Sequence, residues 1–334
     1  MAETSSDGEF GIIERYFASL ATNTAGAFDL KDDAGLISPP EGCELVLTTD
    51  MIVAGVHYLE SAAPRDIAYK ALAVNVSDLC AKGATPSVYL LSIALPEKPD
   101  PAWLEGLSEG LAEAQSDFGC MLLGGDTVHT PGPATLSITA IGAVPAGRMV
   151  HRSGARSGDR VYVTGTIGDA ALGLVLLQGV QSALAGNLSP DHEAHLRSRY
   201  WRPRLPVAAI EVVRNHASAA MDISDGLVGD FMKLCEASGT GGALMGAAVP
   251  LSGAASAWLA KEPEYFSDAI TGGDDYEILM TVPAEAVQSF EKDCHARGLR
   301  ITDIGHISSQ QDGVEVIGAD GQALRLDRRS YEHF

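Results

Sequence analysis

The chain carries little positive charge for its size. Lys and Arg total 23 against 44 Asp and Glu in 334 residues, so the formal net charge is −21. Such a field repels polyanions, so we expect no nucleic-acid partner. A small phosphate ligand is not excluded, because bound divalent cations reverse the sign of the charge locally.

Cysteines are few, and long apolar runs are missing. The five cysteines are far apart and form no Cys-x-x-Cys pair, which predicts free, buried thiols in a reducing compartment. The N-terminus, MAETSSDGEF, lacks the basic start and apolar core of a signal peptide. The longest apolar stretches, YLLSIAL and ALGLVLL, fall far short of the ~20 residues of a membrane helix. We therefore expect a soluble, cytoplasmic protein without a membrane partner.

Several familiar catalytic motifs are absent. No Gly-Lys pair occurs, which excludes a P-loop, and neither protein-kinase signatures nor a G-x-S-x-G elbow is present. The Gly-Thr-Ile-Gly segment 165–168 does not complete a dinucleotide fingerprint and is interpreted as a structural turn. His192 and His195, three residues apart, could form a metal pair, but their polar surroundings favour a solvated surface.

The length favours two domains, because it exceeds the usual limit for a single core. Residues 145–158, PAGRMVHRSGARSG, are basic, glycine-rich and without apolar periodicity, so we place the boundary there and predict domains 1–147 and 148–334. A GGD turn is predicted in each half, at 124–126 and 272–274, which hints at duplication. Apolar periodicity predicts an α/β fold with helices at 9–20, 66–82 and 101–118 and strands at 87–95 and 136–144. The run 44–53 is predicted as a strand that ends near Asp50, and 120–128 as a strand that leads into a glycine turn.

Aspartates recur at or near the predicted strand ends, where the ligand crevice of a layered α/β fold lies. Two carboxylates 4 Å apart repel by about 4 kcal/mol at an effective dielectric of 20, so gathered carboxylates imply protonation or bound cations. Oxygen ligands without Cys or His select Mg²⁺ or Ca²⁺. The alternative for any single aspartate is a helix cap or turn. The nine are Asp32, Asp33, Asp50, Asp78, Asp126, Asp222, Asp225, Asp274 and Asp275.

Six segments then carry a family resemblance: TTDMIVAGVHY at 48–58, KALAVNVSDLCAKGA at 70–84, LLGGDTV, RSGA at 152–155, DISDGL at 222–227 and GGDDYEIL at 272–279. In order and spacing the chain resembles thiamine-monophosphate kinases, from about residue 9 to the final YEHF. The resemblance implies a two-domain α/β fold like that of aminoimidazole ribonucleotide synthetase, with the N-terminal sheet pairing across a homodimer. It also implies direct phosphoryl transfer from ATP to thiamine monophosphate, giving ADP and thiamine diphosphate.

The resemblance also implies roles for individual residues. The N-terminal domain would serve dimerisation, metal and ATP binding, and the C-terminal domain would complete the site. Several Mg²⁺ ions would be held by Asp32, Thr48, Thr49, Asp50, Asp78, Asp126, Asp222 and Asp225. ATP would contact Gly125, Asp126, Arg152 and Ser224, and thiamine monophosphate would contact His57, Asp274 and Tyr331. No nucleophile or base is assigned, because the acceptor phosphate is already ionised at pH 7.

Two positions depart from the family pattern: Lys31 stands where a glycine usually precedes the acidic pair, and Asp274 replaces a glutamate. Among enzymes of this fold, selenophosphate synthetase would need a reactive cysteine near the N-terminus, but no cysteine precedes Cys43. A hydrogenase-maturation protein would need a cysteine-bearing C-terminal tail, but this sequence ends in YEHF. Aminoimidazole ribonucleotide synthetase remains the enzymatic alternative. A non-catalytic acidic metal-binding protein is the alternative of another class, and Arg152 and Ser224 argue against it.

Replacing either of two predicted metal ligands, Asp50→Asn or Asp126→Asn, is expected to abolish phosphoryl transfer while the fold survives, because the loss of one charged oxygen weakens the hold on Mg²⁺. Steady-state assays with circular dichroism as the folding control would measure this. Near-normal activity in both variants would contradict the metal assignment.

Overall fold

The computed structural model describes residues 8–96, 100–179, 188–326 and 328–331. Contacts divide the chain into two compact units, Met1–Leu79 with Thr85–Gly147, and Cys80–Ala84 with Arg148–Phe334. Each unit holds one sheet with packed helices, so the α/β prediction is confirmed. Within the described ranges, no helix combines the length and apolar character needed to cross a bilayer.

The first unit contains a four-stranded sheet in the order β1-β4-β2-β3. Neighbouring strands are antiparallel except for β2 and β3, which are parallel. The strands are β1 (Cys43–Val53), β2 (Thr85–Leu95), β3 (Met121–His129) and β4 (Thr135–Pro145); the helices are α1 (Glu9–Ile12), α2 (Ala18–Ala21), α3 (Pro64–Ala81) and α4 (Pro101–Phe118). A π-helical segment, Ile13–Phe17, joins α1 to α2, so the predicted helix at 9–20 is interrupted rather than regular.

Local sequence signals fix where the long helices begin and end. Helix α4 begins at Pro101, a residue suited to a first turn, and ends before Gly119, whose φ of 67° is left-handed. The prediction of a helix at 101–118 is therefore confirmed. Helix α3 also lies where predicted, and α3 and α4 pack closely: a Cβ on Gly110 would lie 2.1 Å from the carbonyl oxygen of Arg65.

Two expectations about strand ends are wrong. Strand β1 continues to Val53, so Asp50 lies within it. Strand β3 runs through Gly124, Gly125 and Asp126, where a glycine turn was predicted. A Cβ on Gly125 would lie 1.9 Å from the carbonyl oxygen of Leu91, so glycine serves close strand approach here rather than a turn.

The second unit contains a six-stranded sheet in the order β10-β7-β9-β5-β8-β6, antiparallel except for β10 and β7. Its core joins strand residues such as Val161 and Leu279 to Phe231 and Leu234 of the helix that follows β6. The strands are β5 (Arg160–Thr164), β6 (Ala219–Asp222), β7 (Gly241–Met245), β8 (Ile278–Val282), β9 (Ile301–Ser308) and β10 (Val314–Ile317). The helices are α5 (Asp169–Leu177), α6 (Pro190–Trp201), α7 (Ile210–His216), α8 (Leu227–Ser238), α9 (Gly253–Leu259), α10 (Phe266–Thr271) and α11 (Val287–Ala296).

The two GGD segments adopt different structures. Gly124–Asp126 is part of a strand, whereas Gly272 follows helix α10 and Gly273 begins a loop. The expected turn at 124–126 is therefore wrong, and the two GGD segments do not have equivalent local structure. Residues 165–168 do form the predicted turn, between β5 and α5.

The prediction of free thiols is confirmed, and the prediction of burial is confirmed for four of the five. All five thiols are free, and Cys80, Cys120, Cys235 and Cys294 are buried. His195 is partly exposed, as its polar sequence surroundings suggest, and its Nε2 also lies 3.1 Å from Oδ2 of the fully buried Asp169.

Candidate functional site

In the first unit, an oxygen cluster lies between strand β1 and helix α3. Thr48 Oγ1 donates a hydrogen bond to Asp78 Oδ2 at 2.5 Å, and the Asp50 amide donates to Asn75 Oδ1 at 2.8 Å. Thr48 and Asp50 are two residues apart in the strand, so they point to the same face of the sheet. Asn75 is fully buried and donates to the Ala71 carbonyl, which fixes its amide. We call this side, covered by α3, the helix face.

Thr49 points to the opposite side of the same sheet. Its Oγ1 accepts a hydrogen bond from Thr139 Oγ1 at 3.1 Å, and Thr139 is its partner in the strand register. We call this side the open face. Its residues are Leu47, Thr49 and Met51 of β1, Ser137 and Thr139 of β4, Leu90 and Ser92 of β2, and Asp126 and Val128 of β3.

A cavity of about 470 Å³ adjoins strand β3. Asp32 and Asp33 line it from the N-terminal loop, and Gly125 and Asp126 line it from the strand. Asp32 Oδ1 accepts the Asp33 amide at 2.8 Å, and Asp126 Oδ1 accepts the Thr127 amide at 2.9 Å, so both side chains are oriented locally. This cavity therefore collects three of the predicted residues: Asp32, Gly125 and Asp126.

The sheet keeps the two acidic clusters of the first unit apart. Strands β1 and β3 are its two edges, and two strands lie between them. At about 4.8 Å per strand, Asp50 and Asp126 are separated by about 14 Å. They also lie on opposite faces, because Asp126 shares the register row of Met51, not of Asp50. These two carboxylates of one chain therefore cannot both coordinate the same ion in this sheet, since Mg²⁺ binds oxygen at about 2.1 Å.

His57 lies in the turn that follows β1. Its Nδ1 accepts a hydrogen bond from the Val53 amide at 3.1 Å, and its own amide donates to the Val53 carbonyl at 2.9 Å. An Nδ1 that accepts belongs to the neutral tautomer with its proton on Nε2. The imidazole is therefore held as a donor through Nε2.

Two loops of the second unit are joined by backbone hydrogen bonds. The Asp274 amide donates to the Ser224 carbonyl at 2.9 Å, and the Tyr276 amide donates to Ile223 at 2.8 Å. The Tyr331 amide donates to the Asp225 carbonyl at 3.0 Å. Four predicted ligand residues (Ser224, Asp225, Asp274 and Tyr331) are thus brought together. Asp222 is buried at the end of β6, just before this loop.

Asp230 and Lys233 support this loop and were missed by the sequence reasoning. Asp230 Oδ2 accepts the amides of Ser224 and Asp225, both at 3.0 Å, and Asp230 is fully buried. Lys233 Nζ donates to Asp230 Oδ1 at 2.9 Å and also to Asp225 Oδ2. Burial raises the pKa of Asp230, and the Lys233 ammonium opposes that shift. Their i, i+3 spacing in a largely apolar helix is the sequence feature that could have indicated this ion pair.

The loop that carries Asp274 is strained. Asp274 and Tyr276 have φ values of 64° and 51°, which cost about 1–3 kcal/mol for each non-glycine residue. Tyr276 Oη donates to Asp274 Oδ1 at 3.0 Å. Asp275 and Glu277, between and after them, are buried charged residues. From the sequence, Asp275 has no role beyond its place among the nine aspartates, and nothing marks Glu277 and Arg199 as partners.

Arg152 is exposed in the loop that begins the second unit. The His151 carbonyl accepts the Ala220 amide at 3.0 Å, and Ser238 Oγ accepts the Gly154 amide at 3.2 Å. These bonds fix the loop on both sides of Arg152 while its guanidinium reaches solvent. Such a fixed, exposed guanidinium suits a phosphate contact.

Within the described part of the chain, no group of three or more His, Cys, Asp or Glu side chains is arranged to hold a metal ion. The donors near the predicted metal residues of each unit are carboxylate, hydroxyl and carbonyl oxygens. Such donors fit Mg²⁺, which commonly keeps waters and shares only one or two carboxylates with substrate phosphates. Thr48, Asp50 and Asp78 could contribute in this way on the helix face, and Asp32 and Asp126 at the cavity.

Comparison with known proteins shows similarity over nearly the full length. The family described as AIR synthase related protein matches with its N-terminal domain over residues 31–144 and its C-terminal domain over residues 156–318. The chain is 38% identical over 329 residues to thiamine-monophosphate kinase of Salmonella typhimurium, covering 98% of both chains.

Solved structures agree with this. The crystal structure of thiamine-monophosphate kinase from Stenotrophomonas maltophilia K279a superposes with a TM-score of 0.83 at 35% identity, covering 95% of this chain and 98% of that one. The structure of AaThiL complexed with AMPPCP and TMP superposes with a TM-score of 0.76 at 32% identity, covering 100% of this chain and 99% of that one. The fold is therefore the expected two-domain fold of the AIR synthase-related proteins.

Replacing Lys233 by Met is expected to lower the melting temperature by about 5 °C, because the buried Asp230 carboxylate loses its compensating charge. An acid whose folded-state pKa is raised stabilises the fold while protonated and loses that contribution as pH rises through the folded-state pKa. The deficit should therefore be larger at pH 8 than at pH 5 in differential scanning calorimetry. Lys292→Met on the exposed side of α11 is the control; equal deficits in both variants would contradict the assignment.

Proposed function

The chain belongs to the family of thiamine-monophosphate kinases, and we propose that it transfers the γ-phosphoryl group of ATP to thiamine monophosphate, giving thiamine diphosphate and ADP. The observation that carries the proposal is the 38% identity to a thiamine-monophosphate kinase over 98% of both chains. The complex of the related AaThiL with AMPPCP and TMP supports both ligands.

Direct transfer needs no base from the protein. The acceptor is a phosphate monoester whose second pKa is about 6, so its oxygen is already an anion at pH 7. Catalysis then consists of in-line positioning and neutralisation of phosphate charge. We propose Mg²⁺ as the metal, which when bound neutralises the phosphate oxygens and orients them. Several Mg²⁺ ions would be held in this way, each by oxygen ligands of one place in the fold. Thr48, Asp50 and Asp78 would contribute on the helix face, Thr49 on the open face, Asp32 and Asp126 at the cavity, and Asp222 and Asp225 in the second unit.

The remaining residues would bind the two substrates. Gly125, which lines the cavity, would contact the triphosphate, and Arg152 would supply a charged, two-pronged donor to it. Ser224 contributes from the loop fixed by Asp230. On the acceptor side, His57 donates through Nε2, Asp274 presents a carboxylate and Tyr331 an aromatic ring. The four buried free thiols fit a cytoplasmic, reducing location.

The decisive assay combines purified protein with ATP, MgCl₂ and thiamine monophosphate and separates products by chromatography. ADP and thiamine diphosphate should appear in equal amounts, and EDTA should stop their formation. Absence of product, together with turnover of another phosphate acceptor, would refute the substrate assignment.

His57→Ala is expected to raise the KM for thiamine monophosphate about tenfold, the cost of one lost hydrogen bond, with less effect on the KM for ATP. Steady-state kinetics with each substrate varied in turn would measure the ratio. His306→Ala, at an exposed position of β9, is the control and should change neither. Equal changes in both KM values for His57→Ala would contradict the acceptor role.

We also propose a homodimer formed through the open face. Leu47 and Met51 on edge strand β1 are 60% and 53% exposed, and Leu90 and Val128 on the same face are 37% and 48% exposed. An edge strand of eleven residues with exposed apolar side chains is a template for pairing with another chain. A second copy on this face would bury these side chains.

Met51→Lys should therefore convert a dimer into a monomer in sedimentation-velocity measurements, because a charge in a buried apolar contact is unfavourable. Leu324→Lys, at a 36% exposed position in the second unit, is the matched control and should leave the dimer intact. A wild-type monomer, or a Met51→Lys dimer, would overturn the proposal.

A further inference from the structure

Asp274 and Tyr276 hold left-handed conformations that are uncommon for residues with a side chain, least so for aspartate and most so for an aromatic residue. The φ of Asp274 is 64°, and Tyr276, two residues later, also has a positive φ of 51°. Only glycine adopts this region without steric cost, so neighbouring contacts must hold both residues there. The family pattern has a glutamate at this position, whose side chain is one methylene longer. The place of the shorter Asp274 carboxylate therefore depends more on the position of its backbone.

Asp275 anchors the loop between these two residues. Its side chain is buried, at 1% exposure, and both carboxylate oxygens accept the Gly168 amide, at 2.9 and 3.0 Å. Gly168 precedes helix α5, so the carboxylate also lies at the positive end of that helix. A Cβ on Gly168 would lie 2.5 Å from the Cβ of Ala269, so the amide can approach only because this residue is glycine.

Arg199 secures the other side of the loop. One of its guanidinium nitrogens, Nη2, lies 3.4 Å from the Asp275 carbonyl oxygen and 3.1 Å from Glu277 Oε1. Glu277 Oε2 accepts the Thr164 hydroxyl at 2.7 Å. Arg199 and Glu277 are 4% and 6% exposed, so their pairing is shielded from solvent. Burial raises the pKa of Asp275, and the Arg199 charge and the Gly168 amide oppose this shift.

We propose that Asp275 and Arg199 are positioning residues for the acceptor substrate: they hold the 274–277 loop in its strained form, which sets the place of the Asp274 carboxylate. The alternation of side chains supports this, since Asp275 and Glu277 are buried on the β5–α5 side while Asp274 remains half-exposed. Tyr276 Oη, bonded to Asp274 Oδ1, then fixes the carboxylate orientation. This inference rests on the proposed kinase function.

Asp275→Ala tests the proposal. Removing the anchor should raise the KM for thiamine monophosphate about tenfold, because a small misplacement of a binding group is costly, while the KM for ATP stays within about twofold. Asp275→Asn restores an acceptor for the Gly168 amide and should recover most of the loss. Calorimetric titration with thiamine monophosphate, which needs no turnover, should show the highest affinity for the wild type, a slightly lower one for Asp275→Asn and the lowest for Asp275→Ala.

A double-mutant cycle distinguishes positioning from general damage. If Asp275 acts through Asp274, then Asp275→Ala should have little further effect on thiamine monophosphate affinity in an Asp274→Ala background. Phe290→Leu, a core variant in α11, should lower the melting temperature without changing the ratio of the two KM values.

If Asp275→Ala does not fold, Arg199→Lys takes its place. The shorter cation loses the contact with the Asp275 carbonyl and should give the same selective rise in the KM for thiamine monophosphate.

The outcomes separate the two proposals. A wild-type protein that neither binds nor phosphorylates thiamine monophosphate overturns the kinase function and this inference with it. An active wild type whose Asp275 or Arg199 variants alter both KM values equally overturns only the positioning role. Multiplicative effects in the cycle with Asp274→Ala also overturn only the positioning role.

Discussion

Much of this structure depends on the compensation of buried negative charge by well-placed hydrogen-bond donors. A chain with a net charge of −21 cannot bury carboxylates cheaply, yet Asp230, Asp275 and Glu277 are all buried. Each has a cation or a helix-end amide among its donors: Lys233 for Asp230, the Gly168 amide for Asp275 and Arg199 for Glu277. These carboxylates in turn fix the two loops that carry Ser224 and Asp274.

The exposed carboxylates behave differently. Asp32 and Asp126 accept only neighbouring backbone amides among their described contacts, and they face a cavity large enough for ligand groups. Buried acids thus shape the loops, while exposed acids remain oriented toward the space where phosphate and metal are proposed to bind. The sheet register adds a second constraint, because it places Asp50 and Asp126 on opposite faces and edges. Oxygen ligands from bound phosphates or water must therefore complete the coordination of any ion held at either place.

Features of this fold that depend on local signals can be predicted from the sequence. Helix α4 was predicted to the residue, because Pro101 and Gly119 act on their own turn of backbone. At Gly124–Asp126, glycine predicts a turn, but the segment is a strand. Gly125 is needed there because the backbone of the neighbouring strand leaves no room for a Cβ. The partly exposed His195 also contacts the buried Asp169, and its polar sequence neighbours give no sign of that contact. The expected metal, ATP and acceptor residues remain predictions, since their roles come from the resemblance.

The sequence by itself determined the family, the order of its motifs and the chemistry of the donors, because residue types and spacing are written along the chain. Only the tertiary structure decided which carboxylates became loop anchors. Asp275 meets Gly168 across 107 positions, and Arg199 meets Glu277 across 78. Hydrogen bonds act over about 3 Å of space and are indifferent to distance along the chain, so such partners appear only once the backbone has folded.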